Sequence, residues 1–91
     1  MNNENLTIHL KVKDFNAWRT SYNGSQTNRA SAGITNGRVF RNADDPNEVV
    51  VLQDVADVAK ARTWYGSSEM KTAWEKSGVV GSPTIRFAAA A

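Results

Sequence analysis

The chain has 91 residues, enough for one domain (1–91) with a modest core, and its 41% hydrophobic and 22% charged residues are ordinary for a globular protein. No apolar run is long enough to span a membrane, and without cysteine there is no disulfide framework, thiolate nucleophile or sulfur metal site. Eleven basic against nine acidic residues leave a net charge of +2, scattered rather than gathered into a stripe; with no Lys/Arg-Gly-Phe-type signature present, this argues against nucleic-acid binding.

The start of the chain, Met1 to Glu4, lacks the basic-then-apolar pattern of a secretory signal, and the absence of cysteine suits a reducing cytoplasm, the expected location. Residues 6–12 alternate, with Leu6, Ile8, Leu10 and Val12 set against Thr7, His9 and Lys11, which predicts a strand with one apolar face. Asp14 stands where a helix N-cap belongs, and Phe15, Trp18 and Tyr22 follow at helical spacing. Asn23-Gly24 reads as a break, with a polar helical continuation over 25–31 that stops at Gly33. Asn36-Gly37 is expected to open a strand over 38–42, and residues 43–47 form a strong turn signal into a second strand, 48–55. These two strands should make an antiparallel hairpin.

Asp57 is expected to cap a helix reaching Tyr65, with Val58, Ala61 and Tyr65 on one face. Gly66-Ser67 interrupts it, and Ser67 or Ser68 caps a further helix whose apolar face is Met70, Ala73 and Trp74, stopped by Gly78. Gly81-Ser82-Pro83 then turns the chain into a last strand, 84–88, before a featureless alanine tail.

The resulting βαββαβ order predicts an α+β protein of ferredoxin-like type, a four-stranded antiparallel sheet with the helices on one face. Val49-Val50-Val51-Leu52 sharpens this expectation. Successive strand side chains point to opposite faces, so an unbroken apolar run implies cover on both. The helices supply one cover, and a homodimer through the open sheet face would supply the other.

Residues 12–18 (VKDFNAW), 32–40 (AGITNGRVF), 41–51 (RNADDPNEVVV) and 78–83 (GVVGSP) resemble small dimeric α/β-barrel proteins, the relatives of antibiotic-biosynthesis monooxygenases often labelled cyclases. The resemblance covers roughly residues 6–88. It implies a homodimeric barrel with helices outside and a ligand cleft between each sheet and its helices. It also implies chemistry ranging from metal- and flavin-free oxidation of aromatic polyketides, through polyketide folding and haem handling, to members without an established activity. No local motif transfers a catalytic role to a particular residue.

Among the residues themselves, His9 is the single histidine, the residue type that exchanges protons near neutral pH. It is either a general base acting on a phenolic or carbon-bound proton or a histidine bonded at the sheet surface or dimer seam. Arg86, between Ile85 and Phe87, either holds a carboxylate or enolate or pairs with Asp54 or Glu48, and Arg38 shares the ambiguity. Trp18, Tyr22, Trp64, Tyr65 and Trp74 on helices, with Phe40 on a strand, either line a cleft for a planar aromatic ligand or simply cover the sheet. Trp64 and Tyr65 are adjacent and cannot share one helix face.

One histidine and no cysteine leave no familiar metal-ligand set, no serine has an evident His–carboxylate arrangement, and no Gly-rich phosphate loop is present, so neither metal nor cofactor is expected. Two functions fit. One is a cofactor-independent monooxygenase- or cyclase-like enzyme whose cleft orients an aromatic or polyketide-type substrate, with His9 moving a proton and Arg86 stabilising negative charge. The other is a non-catalytic dimeric module that binds a ligand or a protein.

Overall fold

The alternation over 6–12 becomes β1 (Glu4–Val12), in which Leu6, Ile8, Leu10 and Val12 are all buried while His9 and Lys11 are exposed. The computed structural model describes residues 4–89; the expectations for the start of the chain and for its alanine tail fall partly on residues 1–3 and 90–91, outside the described residues. After β1 come α1 (Phe15–Gly24), α2 (Gln26–Ser31), β2 (Ile34–Arg41), β3 (Glu48–Val55), α3 (Val58–Tyr65), α4 (Ser68–Lys76) and β4 (Val79–Ala89). The strands form one antiparallel sheet in the order β2-β3-β1-β4, the ferredoxin-like arrangement with each helical crossover divided in two. No helix among the described residues is long and apolar enough to cross a membrane.

Local chemistry sets the helix starts. Asp14 Oδ1 accepts the backbone N–H of Asn16 at 2.9 Å, Asp57 Oδ1 that of Lys60 at 3.1 Å, and Ser67 Oγ that of Met70 at 3.2 Å. Each cap is worth about 1 kcal/mol. Trp18, Ala61 and Tyr65 then bury against the inward residues of β1 and β3, forming one apolar core with Ile34 and Ala32. In α4 the inward face is Met70 and Trp74 alone; Ala73, expected beside them, is exposed.

Two strands begin earlier than the turn signals suggest. In β2, Thr35 pairs with Asp54 and Arg38 with Leu52, three steps against two, so Asn36-Gly37 is a bulge inside the strand, with Asn36 at φ 53°. Ile34 pulls the strand start back, since it is 2% exposed and pairs with Val55. In β4, Val80 pairs with Lys11 and Thr84 with His9, four steps against two, and Gly81 takes φ 70° to accommodate the excess. Pro83, which has no N–H to donate, is tolerated because β4 is an edge strand.

Register also fixes the uncovered face. Phe40, Val50, His9 and Thr84 lie side by side across the four strands, and Arg38, Leu52, Thr7 and Arg86 form the next row. Phe40 is 53% and Val80 47% exposed there. Charge flanks the apolar centre: Arg38 pairs with Asp54 at 3.5 Å and Lys11 with Asp45 at 3.4 Å.

Candidate functional site

A narrow cleft lies over the sheet between the two helix pairs. Trp18 and Tyr22 of α1 face Trp64, Tyr65, Met70 and Trp74 of α3 and α4 across a floor of Ile8, Leu10 and Val51. The rings form two stacks, Trp18 on Tyr22 with centroids 5.1 Å apart and Tyr65 on Trp74 at 6.0 Å, while Trp64 meets Tyr65 edge-on at 4.8 Å. The apolar half of the cleft is narrow, with a cavity of about 40 Å³. It continues past Tyr22 and Arg29 into a polar pocket of about 240 Å³ roofed by α1 and α2 and bordered by the bulge of β2.

A hydrogen-bonded chain runs beneath the rings. Tyr22 Oη donates to Gln53 Oε1 at 3.0 Å, and Gln53 Nε2 donates to Tyr65 Oη at 2.9 Å. Gln53 occupies an inward position of β3 between Val51 and Val55 and is fully buried. Its amide is oriented by having one phenol to accept from and another to donate to. The Tyr22 hydroxyl reaches it by passing directly over Gly37, where any side chain would run into it. The bulge in β2 therefore makes room for the site.

Arg29 closes the junction between the two halves. It is 7% exposed, and its Nη1 donates to the Tyr22 carbonyl at 2.6 Å and to Ser25 Oγ at 2.8 Å. Its guanidinium carbon lies 3.6 Å from the centroid of the Tyr22 ring, with that of Arg19 5.7 Å from the same centroid. Burial pushes the Tyr65 phenol up to about 12, against the opposing effect of its bond from Gln53. Burial raises Tyr22 as well, offset by the positive charges of Arg29 and Arg19. At neutral pH both tyrosines are thus neutral hydroxyls, and Arg29 is a cation although burial lowers its pKa. Among the described residues no histidine or carboxylate lines either half, so the cleft they form offers donors and positive charge but no group suited to take a proton near neutrality.

The residues singled out from the sequence divide between two surfaces. Trp18, Tyr22, Trp64, Tyr65 and Trp74 come together in the cleft. His9, Arg86 and Phe40 lie on the opposite side of the sheet, separated from the rings by the strands themselves. Strand alternation is the cause: with Ile8, Leu10 and Val51 turned to the helices, His9 and Phe40 must turn away, and Arg86 shares a row with Thr7. A ligand between the helix pairs therefore cannot touch His9 or Arg86 of the same chain. Asp54 pairs with Arg38 rather than Arg86. Gln53 and Arg29 are cleft residues that the sequence alone did not bring forward. The signal for Gln53 is a polar residue among the alternate members Val49, Val51 and Val55; that for Arg29 is its spacing of four from Ser25 and seven from Tyr22. Among the described residues no group of three His, Asp or Glu side chains is placed to hold a metal ion.

No family model and no curated protein matches the chain. Solved structures do match, and they are antibiotic-biosynthesis-monooxygenase-like proteins. A candidate antibiotic biosynthesis monooxygenase from Bordetella bronchiseptica superposes with a TM-score of 0.77 at 10% identity, covering 96% of this chain and 95% of that one. A second, from Caulobacter crescentus, gives 0.71 at 16% identity over 99% and 91%. A single-substitution variant of SnoaB, a cofactor-independent oxygenase from Streptomyces nogalater, gives 0.72 at 12% identity over 99% and 94%. At such identities the likeness establishes the fold, across nearly the whole of each chain.

Proposed function

We propose that this chain, which has the fold of the antibiotic-biosynthesis-monooxygenase-like proteins, works as a cytoplasmic homodimer that takes a small planar aromatic molecule between its helix pairs and oxidises it without a cofactor. The Tyr22–Gln53–Tyr65 chain carries the reading: an oriented polar line, fully buried at Gln53, beneath a wall of stacked rings suits a flat ligand with an oxygen on its edge. A neighbour in fold that is a cofactor-independent oxygenase supports the reaction class.

The chemistry matches what the cleft contains. One molecule of dioxygen oxidises a diaryl methylene to the diaryl ketone. One oxygen atom becomes the carbonyl oxygen, and the other leaves as water with the two methylene hydrogens. The route is a carbanion or enolate that passes electrons to dioxygen. With no near-neutral base lining the cleft, the substrate must be acidic enough to release its proton to solvent. The protein's part is to hold the resulting anion with Arg29 and with the Tyr65 hydroxyl, which accepts from Gln53 and keeps its own proton to donate, and to keep it flat between the rings. His9 and Arg86 are proposed to serve at the seam between two protomers, where a second sheet over Phe40, Val50 and Leu52 would enclose them.

The narrowness of the apolar half, about 40 Å³, favours one second reading, a binding module without turnover. Anthrone in flavin-free, chelator-treated buffer separates the two. Oxygen uptake matching anthraquinone formation, at least tenfold above buffer and lost in Tyr65→Phe, supports the oxygenase. Quenching of tryptophan fluorescence without oxygen uptake supports the module. Neither signal at saturating anthrone overturns both.

A further inference from the structure

Arg29 is a cation buried without an anion. Neither of the ion pairs among the described residues includes it, and the charged or ionisable groups that act on it are Tyr22, Tyr65 and Arg19, none of them a carboxylate. Isolated buried charge is costly and is normally paired. The hydrogen bonds Arg29 makes, to the Tyr22 carbonyl and Ser25 Oγ, bridge α1 to α2 through Nη1 alone, while its flat face rests on the Tyr22 ring. A neutral amide would make that bridge without burying a charge.

The rest of the guanidinium has somewhere to look. Nε and Nη2 make no hydrogen bond among the described residues, yet no buried side-chain nitrogen or oxygen there is left unsatisfied. Those two nitrogens are therefore open to the space Arg29 lines, which is the polar pocket of about 240 Å³ and the inner end of the ring-walled cleft. Arg19 converges on the same pocket from α1, against the repulsion of a like charge. The remaining polar lining, Gln26, Asn36, Tyr22 and Gln53 among it, is neutral. Two arginines facing one concavity with no acid to balance them form half of an ion pair.

We infer that the polar pocket is a carboxylate subsite, in which Arg29 and Arg19 hold the acid group of an aromatic carboxylate while its ring lies in the ring-walled half of the cleft. The planar fork of Arg29 suits a carboxylate, and its position at the junction of the two halves sets the distance from acid group to ring. The inference rests on the cleft being the ligand site, and it narrows the ligand to aromatic acids.

Calorimetric titration with 2-naphthoate and with its neutral isostere 2-naphthamide tests it. The wild-type protein is expected to bind naphthoate at least tenfold more tightly than the amide, as a charge-assisted pair requires. Arg29→Lys, which keeps the charge and loses the fork, is expected to weaken naphthoate about tenfold and to shrink the preference for the acid over the amide. Arg19→Gln, at a half-buried site outside the core, is expected to weaken naphthoate several-fold; it decides the matter if Arg29→Lys does not fold. Equal affinity for acid and amide overturns the carboxylate subsite and leaves the cleft standing. An acid preference untouched by the folded variants overturns the assignment to these arginines. No binding of either ligand overturns the subsite and the cleft together.

Discussion

β3 belongs to two environments at once, and its two faces were built by different rules. On the helix side Val49, Val51, Gln53 and Val55 are 0–2% exposed, and the one polar member is a neutral amide with a partner for both its oxygen and its nitrogen. On the open side Val50 and Leu52 are only half-buried, and the next residue, Asp54, carries a charge paired to Arg38 at 3.5 Å. The difference teaches what closes each face. The dry side is completed by this chain, so a polar group is admitted only if its hydrogen bonds are met. The open side has an apolar middle and charged margins, the pattern of a surface that packs against another while staying soluble without it.

Removing the amide from the dry side should have the largest effect. Gln53→Ala leaves a cavity and strips two buried phenols of their partner, and is expected to cost about 3 kcal/mol in chemical denaturation. A loss under about 1 kcal/mol would mean that the tyrosines re-pair with water and the dry face is not dry. Next comes alkaline pH. An unfolded tyrosine ionises near pH 10, whereas folded Tyr65 holds its proton to about 12. Below about pH 10 both states carry the proton and the stabilisation is fully present; between about 10 and 12 only the unfolded state loses it, so stability falls as pH rises. The loss is on the order of 2 kcal/mol, and Tyr65→Phe should flatten the slope in pH-dependent melting. The smallest change in protomer stability belongs to the open side. Leu52→Arg is expected to raise the dimer dissociation constant at least tenfold, about 1.4 kcal/mol, while leaving the circular dichroism spectrum of the protomer intact. A monomeric wild-type protein in sedimentation at micromolar concentration would remove the contrast between the faces altogether.

Much of this was legible in the residues because it is local. The alternation in β1, the boundaries of β3 and the caps Asp14, Asp57 and Ser67 depend on neighbours within a few positions, and all are realised. Asn36-Gly37 and Gly81-Ser82-Pro83 have the same chemistry whether they end a strand or bulge within one. Only the pairing of Ile34 with Val55, and of Val80 with Lys11, decides between the two, and those partners are distant in sequence. The site was half legible for a related reason. Helical spacing set Trp18 with Tyr22, and alternation placed His9 opposite Leu10, but the adjacent Trp64 and Tyr65, which helical spacing could not give a common face, both line the cleft. That the helices take the Leu10 side, and that Gln53 and Arg29 meet Tyr22 there, are facts of tertiary packing that no single segment encodes.

The bulges have a consequence beyond the strands that contain them. β2 and β4 are the two edges of the sheet, and each is broken, one at Asn36-Gly37 and the other at Gly81 to Pro83. An edge with an irregular ladder and a left-handed residue, joined in β4 by a proline, is a poor template for another chain's backbone. Open-ended growth by strand addition is thereby discouraged at both ends, so the proposed pairing through the broad face of the sheet would not compete with pairing at its edges.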